Sequence, residues 1–321
     1  MMNLRCFLIV IISFIGSVVS YAQPNLLNAK IPEQIGIKSA AQLISDNDKP
    51  LEYGYVDDRD ILMGKTVWEI IDLSERINFP LYFPIDTTNI GSDRRSLYDV
   101  LTKGIRSGEI TEVYSDSYFN TKKTFKDIKA SLMHVSLSNA GREQLNVLGI
   151  NDKYKDLNPD QITNDEAEKL VADGISREYI LKSDLTAQDV TQYKIKGYWY
   201  FDSRQSELKY RLLGICPVTP DVYTLNSDEK DYIELFWVFF PDARTVLHSA
   251  KSFNDKNTSM PISFDQILNS RRFNSVIYQE ENVYGDRSIV SYMKDNAQNQ
   301  LLESDRVKEK IRNFEENMWN Y

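Results

Sequence analysis

Cysteine and histidine are scarce in this chain. Its 321 residues include 2 Cys and 2 His, and Cys6 lies in an apolar N-terminal segment. Cys216 is the one thiol outside that segment, so it has no intrachain disulfide partner there, and its place in a strand-like run predicts a buried, unreactive side chain. A zinc site that draws mainly on His and Cys is also hard to assemble from His134 and His248.

The sequence also lacks the signatures of common enzyme classes. It contains no G-x-S-x-G, no G-x-G-x-x-G and no P-loop, so neither a nucleophile elbow nor a phosphate cradle is predicted. No apolar run beyond residue 22 is long enough to cross a bilayer. A formal net charge of −9 argues against nucleic acid and anionic membrane as partners.

The N-terminus has the pattern of a secretory signal peptide. Arg5 precedes an apolar run over residues 6–19, and Ser20 and Ala22 place small residues where cleavage is set, which predicts cutting before Gln23. A membrane anchor is the alternative, although the run is shorter than the roughly 20 residues that span a bilayer. Because Cys6 lies at the start of the apolar run and not after it, no lipid anchor is expected there. Residues 23–50 are polar and predict an extended arm, either a disordered leader or a segment that docks on a neighbouring subunit.

Three strand-like runs between residues 193 and 240 are the centre of the predicted fold. In YKIKGYWYF, residues alternate with a period of two; in LKYRLLGICPV, Leu208, Tyr210, Leu212 and Cys216 are expected to share one face; YIELFWVFF is apolar on both faces. An antiparallel meander is therefore predicted, with helices before and after it, which is an α+β fold.

Shorter patterns flank this meander. Thr66 and Glu69 form a capping-box pattern that predicts a short helix, and prolines 80 and 84 predict an extended segment from Ile77 to Phe83. A helix is expected from Leu97 to a stop at Gly108. Short strands are expected within residues 109–120 and 133–139, and a strand over residues 274–279.

The body is expected to span residues 51–321. Residues 146–173 are predicted to be a loop or linker with one short helix, and FDQIL predicts another helix. The final helix carries Val307, Ile311, Phe314 and Met318 on a narrow apolar seam, which packs either on the body or on a second subunit.

The acidic group Asp57, Asp58 and Asp60 is the most suggestive site for chemistry. Carboxylates could hold Ca²⁺ or Mg²⁺, yet the further spaced oxygens and the turn glycine of a calcium loop are missing. A capping and ion-pair cluster with Arg59, or an interface patch, is preferred. The alternative function is an exported metal-dependent hydrolase or binding protein that uses these three aspartates.

Several long strings resemble the GldN/PorN gliding-motility family of Bacteroidetes. They are YVDDRDILMGKTVWEIIDLSERINFPLYFP, YRLLGICPV, ELFWVFFPDAR, PISFDQILNSRRFNSVIYQEENVYGDR and IRNFEENMWNY, in that order. The resemblance implies a periplasmic component of the type IX secretion system, with no enzymatic activity and no cofactor. It further implies assembly with an outer-membrane lipoprotein of the GldK/PorK type into a ring. The GldL/GldM motor of the inner membrane would connect to that ring through the periplasmic part of GldM/PorM.

The resemblance carries no contact map, so partner-binding residues are a hypothesis from charge and aromatic content. Aromatic and arginine side chains anchor many protein interfaces. The candidates outside the predicted core strands are Asp57, Asp58, Arg59, Asp60, Arg271, Arg272, Phe273, Tyr284, Arg287, Phe314 and Trp319. No catalytic residue and no metal ligand is assigned with them.

Overall fold

The computed structural model describes residues 49–86, 94–154, 157–159, 162–222, 231–254, 261–294 and 296–319. The predicted signal peptide, residues 1–22, lies outside these ranges. So does the predicted arm, residues 23–50, apart from its last two residues. Both stay predictions.

An antiparallel sheet forms the centre of the protein, and its strands lie in the order β11-β1-β5-β6-β8-β2, with β7 paired to β6. The three longest strands, β1, β5 and β6, are neighbours and pair over most of their length. The strand bounds are β1 Ile61–Asp72, β2 Val113–Tyr114, β3 Met133–Leu137, β4 Ile180–Asp184, β5 Gln192–Asp202, β6 Glu207–Pro220, β7 Tyr232–Glu234, β8 Trp237–Phe239, β9 Lys251–Ser252, β10 Ile262–Ser263 and β11 Val276–Glu280.

Helices precede and follow the sheet strands, so the α+β prediction is confirmed. The helix bounds are α1 Phe79–Tyr82, α2 Leu97–Ser107, α3 Phe125–Leu132, α4 Asn139–Val147, α5 Asn164–Ala172, α6 Phe240–Ser249, α7 Phe264–Asn269, α8 Ile289–Tyr292 and α9 Ala297–Trp319. The predicted stop of α2 is confirmed, because Gly108 takes a left-handed conformation at φ 79° and ends the helix. The expected strands within residues 109–120, 133–139 and 274–279 are present as β2, β3 and β11.

The two faces of the sheet are covered differently. On the helix face, Ile71, Ile195 and Leu212 contact a large core to which α2, α6 and α7 contribute. Helix α9 extends that cover, since Val307 and Ile311 are buried beside Val67 and Ile277. The seam of the final helix therefore packs on the body. The loop face holds a smaller cluster around Trp68, Cys216 and Trp237.

Two predictions before the meander are wrong. The segment with Thr66 and Glu69 is not a helix but the middle of β1, where it pairs with β5 on one side and β11 on the other. A strand covered on both faces has no visible polar alternation, so its local pattern is ambiguous. Of residues 77–83 only Phe83 is extended. The others belong to a 3₁₀ turn and to α1, because Pro80 lies in the first turn of that helix, where a missing N–H costs nothing.

The meander is confirmed, with two changes in detail. A β-bulge in the pairing of β5 with β6 shifts the register after Leu212. Cys216 consequently faces the loop-face cluster, and Leu212 faces the helix-face core, so the predicted common face of these two residues is wrong. The third run is interrupted: β7 and β8 both pair with β6, and Phe240 already begins α6.

A second apolar cluster lies in the chain between β2 and β5. Val135 and Leu137 of the β3–β4 pair contact Leu145 of α4 and Leu170 of α5. Residues 146–173 include the short helix that was expected, which is α5, and Thr163 and Glu166 form its capping box. Part of the stretch therefore contributes buried side chains to a small core.

Candidate partner-binding surfaces

The acidic group at residues 57–60 forms a 3₁₀ turn directly before β1. The Asp57 carboxylate accepts a hydrogen bond from the Arg59 backbone N–H at 3.4 Å and lies 3.5 Å from the Arg59 guanidinium. Asp60 pairs with Arg204 at 3.0 Å, in the turn between β5 and β6. Asp58 and Arg59 are exposed. Caps and ion pairs thus account for two of the three carboxylates.

The described residues hold no group of three or more His, Cys, Asp and Glu side chains placed to bind a metal ion. Asp57, Asp58 and Asp60 therefore do not converge on a common point. What this turn presents to a partner is the exposed pair Asp58 and Arg59.

Arg271 is mostly buried, with 24% of its side chain exposed. Its guanidinium forms a bidentate ion pair with Glu69, whose side chain is fully buried in β1. The same group lies 4.2 Å from the centre of the Tyr210 ring and 5.1 Å from that of Trp199. Burial is the largest single effect on the pKa of Arg271 and lowers it, but hydrogen bonding and charge attraction from Glu69 and Tyr210 together outweigh burial and hold this pKa above its usual value.

The two residues after Arg271 differ in their surroundings. Arg272 is exposed, whereas Phe273 is buried and belongs to the helix-face core. Of the three neighbouring candidates, Arg272 therefore has the most exposed side chain, Arg271 is partly exposed and Phe273 is buried.

Tyr284 and Arg287 lie together on the turn between β11 and α8. The Arg287 guanidinium is 5.2 Å from the centre of the Tyr284 ring and 4.9 Å from that of Tyr292 in α8. Tyr284 is 73% exposed, and its neighbour Val283 is 92% exposed. We call Val283, Tyr284, Arg287 and Tyr292 the tyrosine–arginine patch.

Hydrogen bonds within the turn, and one to α9, hold the residues of this patch in place. The Asn282 side chain donates to the backbone carbonyls of Glu280 and Arg287, and the Asn282 backbone N–H donates to Asp286. The Tyr292 hydroxyl donates to Glu303 of α9 at 3.3 Å. These bonds fix an exposed arginine between two tyrosines. Tyr292 was not among the candidates, and its spacing of five residues from Arg287 gave no signal.

The two candidates on α9 have different outcomes. Phe314 is half-buried, and its ring packs against that of Phe201 in β5 with the ring centres 5.8 Å apart. Phe314 therefore helps to attach α9 to the sheet. Trp319 is the last residue of the helix, and its side chain lies outside the described part of the structure.

Sequence analysis missed a lysine in an aromatic setting on the loop face. The Lys196 ammonium lies 4.9 Å from the ring centres of Trp68 and Tyr118 and 5.3 Å from that of Phe119. It donates a hydrogen bond of 2.9 Å to the carbonyl of Ser117. The alternation in β5 places Lys196 on the face opposite Ile195, but the loop that covers it comes from distant sequence.

Burial also shapes the ionisation of two groups on the loop face. It lowers the pKa of Lys196 below its usual value, although nearby carboxylates led by Glu281 oppose this effect. It raises the pKa of the Cys216 thiol well above its usual value. A buried thiol with a raised pKa is unreactive, as the sequence predicted for Cys216.

The part of the chain that the structure describes includes no helix with the length and apolar character needed to cross a bilayer.

Two comparisons with known proteins bear on the family to which the chain belongs. A search of curated proteins gives no significant match. A family model described as "Gliding motility associated protein GldN" matches residues 56–320, which is most of the chain and includes every β-strand of the central sheet. The chain therefore belongs to the GldN family of gliding motility associated proteins.

Proposed function

We propose that this protein is a non-enzymatic structural subunit of the type IX secretion and gliding-motility machinery. In this proposal it lies in the periplasm and assembles with an outer-membrane lipoprotein of the GldK/PorK type into a ring. The ring couples to the inner-membrane motor through the periplasmic part of a GldM/PorM-like protein. Membership of the GldN family supports the association with gliding motility, and the remaining steps extend it.

The tyrosine–arginine patch is the observation that carries the proposal. Tyr, Trp and Arg dominate the residues whose truncation weakens protein interfaces most. Here Arg287 is exposed between Tyr284 and Tyr292, and the underlying hydrogen bonds of Asn282 hold the turn in place. A preformed patch loses little side-chain freedom when a partner covers it. We therefore assign the lipoprotein contact to this patch.

Ring formation places a further demand on the subunit. A closed ring needs head-to-tail contacts, in which two different surfaces of one subunit meet. The tyrosine–arginine patch and the exposed pair Asp58 and Arg59 are separate candidates for such surfaces. Arg272 is a third, because its side chain is exposed.

The test is co-purification with the lipoprotein from the same organism, followed by sizing of the complex. We expect a ring-sized complex with the unchanged chain. The double variant Tyr284→Ala with Arg287→Ala should reduce recovery of the complex at least about tenfold, since each truncation removes an anchor-type side chain.

The matched control is Tyr232→Ala, which truncates another exposed tyrosine, 57% accessible, on β7. It should leave recovery unchanged, and both variants should unfold at the same temperature as the unchanged chain. Undiminished recovery with the double variant would rule out the patch as the contact. If the unchanged chain itself fails to co-purify, the assembly role is wrong.

A further inference from the structure

Residues 51–56, which we call the strap, cross the body just before the 3₁₀ turn at Asp58–Asp60. Three arginines from distant sequence donate hydrogen bonds to its backbone carbonyls. Arg244 reaches Leu51 at 2.5 Å, Arg211 reaches Gly54 at 3.0 Å, and Arg204 reaches Tyr55 at 2.9 Å.

Tyr53 is the one strap side chain that is held closely. Its ring lies 4.2 Å from the Arg244 guanidinium and 4.7 Å from that of Arg211, and its hydroxyl donates to Asn269 at 2.6 Å. The receiving site, which we call the cleft, therefore consists of Arg204, Arg211, Arg244 and Asn269. It recognises three carbonyls and one tyrosine.

The cleft is organised by the body itself. Arg244 is buried and pairs with Asp265 at 2.9 Å, and Asn269 donates to the same carboxylate at 2.8 Å. Arg204 is held by Asp60. Arg211 donates to the Tyr200 hydroxyl at 3.4 Å. None of these contacts involves residues 51–56, so the four side chains of the cleft have partners in the body that do not depend on the strap.

The described contacts that attach the strap are made by side chains of the body and not by its backbone. Among the described residues, residues 51–56 make no backbone–backbone hydrogen bond with the rest of the chain. Leu51 is 85% exposed and Tyr55 is 82% exposed. A cavity of about 260 Å³ lies beside the strap, lined by Tyr53, Tyr55 and Val56 on one side and by Tyr200, Gln205 and Lys209 on the other. The strap is therefore not close-packed against the body.

From this geometry we infer that the cleft also receives the strap of a second copy of the chain. Every copy presents the same carbonyls and the same Tyr53, so a strap that leaves its own cleft finds identical hydrogen-bond donors in a neighbour's cleft. Exchange of an identical element is a low-cost route to association between copies. Along the described chain, the strap leads into β1 through the turn of Asp58–Asp60, in which Asp58 and Arg59 are exposed and Asp60 is held by Arg204, so a change of direction before Asp60 would leave β1 in place.

Cysteine cross-linking between two tagged populations tests this inference. One population carries Tyr55→Cys and the other carries Gln205→Cys; both positions line the cavity, and neither substitution removes a cleft donor or Tyr53. The two are mixed and treated with a short bis-maleimide. Exchange predicts a covalent dimer that carries both tags, and Tyr53→Ala in the first population should lower its yield several-fold.

Two controls define the background. Glu143→Cys, an exposed position on α4, replaces Gln205→Cys in a parallel mixture. The unsubstituted chain with linker accounts for Cys6 and Cys216. A single chain with both Tyr55→Cys and Gln205→Cys reports whether the strap occupies its own cleft. If that chain cross-links only within itself and the mixture yields no more dimer than the Glu143→Cys control, the inference is overturned.

This inference concerns contacts between copies of the chain alone. It does not depend on binding of a lipoprotein at the tyrosine–arginine patch, and the cross-linking experiment contains no lipoprotein. Its failure would therefore leave the proposed function untouched.

Discussion

The Arg271 guanidinium and the Glu69 carboxylate form two parallel hydrogen bonds, of 3.0 Å from Nη1 to Oε1 and 2.6 Å from Nη2 to Oε2. Glu69 is fully buried, and the Ser275 hydroxyl donates a further hydrogen bond to it. The Arg271 backbone takes a left-handed conformation at φ 50°. This pair therefore joins the segment after α7 to strand β1, and it neutralises a carboxylate that has no access to water.

Arg271→Ala should strongly destabilise the protein. The substitution leaves the buried Glu69 carboxylate without its counter-charge, and breaking a buried ion pair from one side costs roughly 3–5 kcal/mol. Urea denaturation should show this loss as a lower midpoint with an unchanged slope. The exposed neighbour Arg272→Ala is the matched control and should change the free energy of unfolding by less than about 0.5 kcal/mol. Equal midpoints for the two variants would contradict the assigned ion pair.

Gly197→Ala should also lower stability, for a steric reason. A Cβ at Gly197 would lie 2.1 to 2.3 Å from the ring and hydroxyl atoms of Tyr210. That ring is covered by the Arg271 guanidinium, so it cannot simply swing away. Overpacking of this kind costs roughly 1–3 kcal/mol.

The measurement for Gly197→Ala is again the urea midpoint. The double variant Gly197→Ala with Tyr210→Ala supplies the control, because removal of the Tyr210 ring makes room for the added methyl group. The cost of the glycine substitution should then largely disappear in the Tyr210→Ala background. A cost that persists there would show that contact with Tyr210 is not its cause.

Lys196→Met should change how stability depends on alkaline pH. Burial lowers the pKa of Lys196 in the folded chain, so the unfolded chain keeps that proton to higher pH. Where the unfolded state binds more protons, stability rises with pH. Lys196 therefore contributes an increase in the free energy of unfolding as pH approaches the usual lysine pKa of about 10.5.

The Lys196→Met variant keeps the apolar stem between Trp68 and Tyr118 but cannot titrate. The check is the difference in free energy of unfolding between it and the unchanged chain, followed across the alkaline range. All other ionisable groups are common to both proteins, so their contributions cancel. A difference that does not vary with pH would show that the lysine pKa is not lowered in the folded chain.

The buried tyrosines should ionise at a higher pH in the folded chain than in the unfolded chain. Burial raises the pKa of Tyr98 to about 12 and that of Tyr193 well above its usual value. Because the folded pKa exceeds the unfolded value of about 10, this contribution to stability is present below pH 10 and is lost as pH rises from about 10 through about 12. Tyrosinate absorbance of the native chain should lag behind that of the urea-unfolded chain. Overlapping titration curves would contradict the burial of these hydroxyls.

The sequence predicted α2 and α9 because their apolar residues recur at helical spacing, and Gly108 marks the end of α2. It failed for β1, where Thr66 and Glu69 imitate a capping box. In the fold Glu69 points to Arg271, which is 202 residues away along the chain. The local sequence around Glu69 does not show that its ion-pair partner is Arg271. An acidic residue three positions after Thr66 therefore matched the pattern of a helix N-terminus.

The candidate partner-binding residues also include some that the sequence placed well and some that it did not. Exposed positions such as Tyr284 and Arg287 were chosen from composition, and the structure brings them together in one patch. Arg271 and Phe273 came from the same string, yet Phe273 is buried and most of the Arg271 side chain is covered where it pairs with Glu69. Composition names residues that are suited to interfaces, but it does not say which of them the fold leaves exposed. The strap was not foreseen either, because its three arginines are supplied by the β5–β6 turn, β6 and α6.

By itself, the sequence determined the antiparallel meander, the ends of α2, the buried state of Cys216 and the family, because each rests on local periodicity or on contiguous strings of residues. The tertiary structure alone decided which face of β6 Cys216 occupies, where Arg271 is buried and how the strap is held. The physical reason is that these outcomes depend on a bulge, an ion pair and side-chain hydrogen bonds between segments far apart in the chain, and long-range pairing leaves no mark in a local pattern.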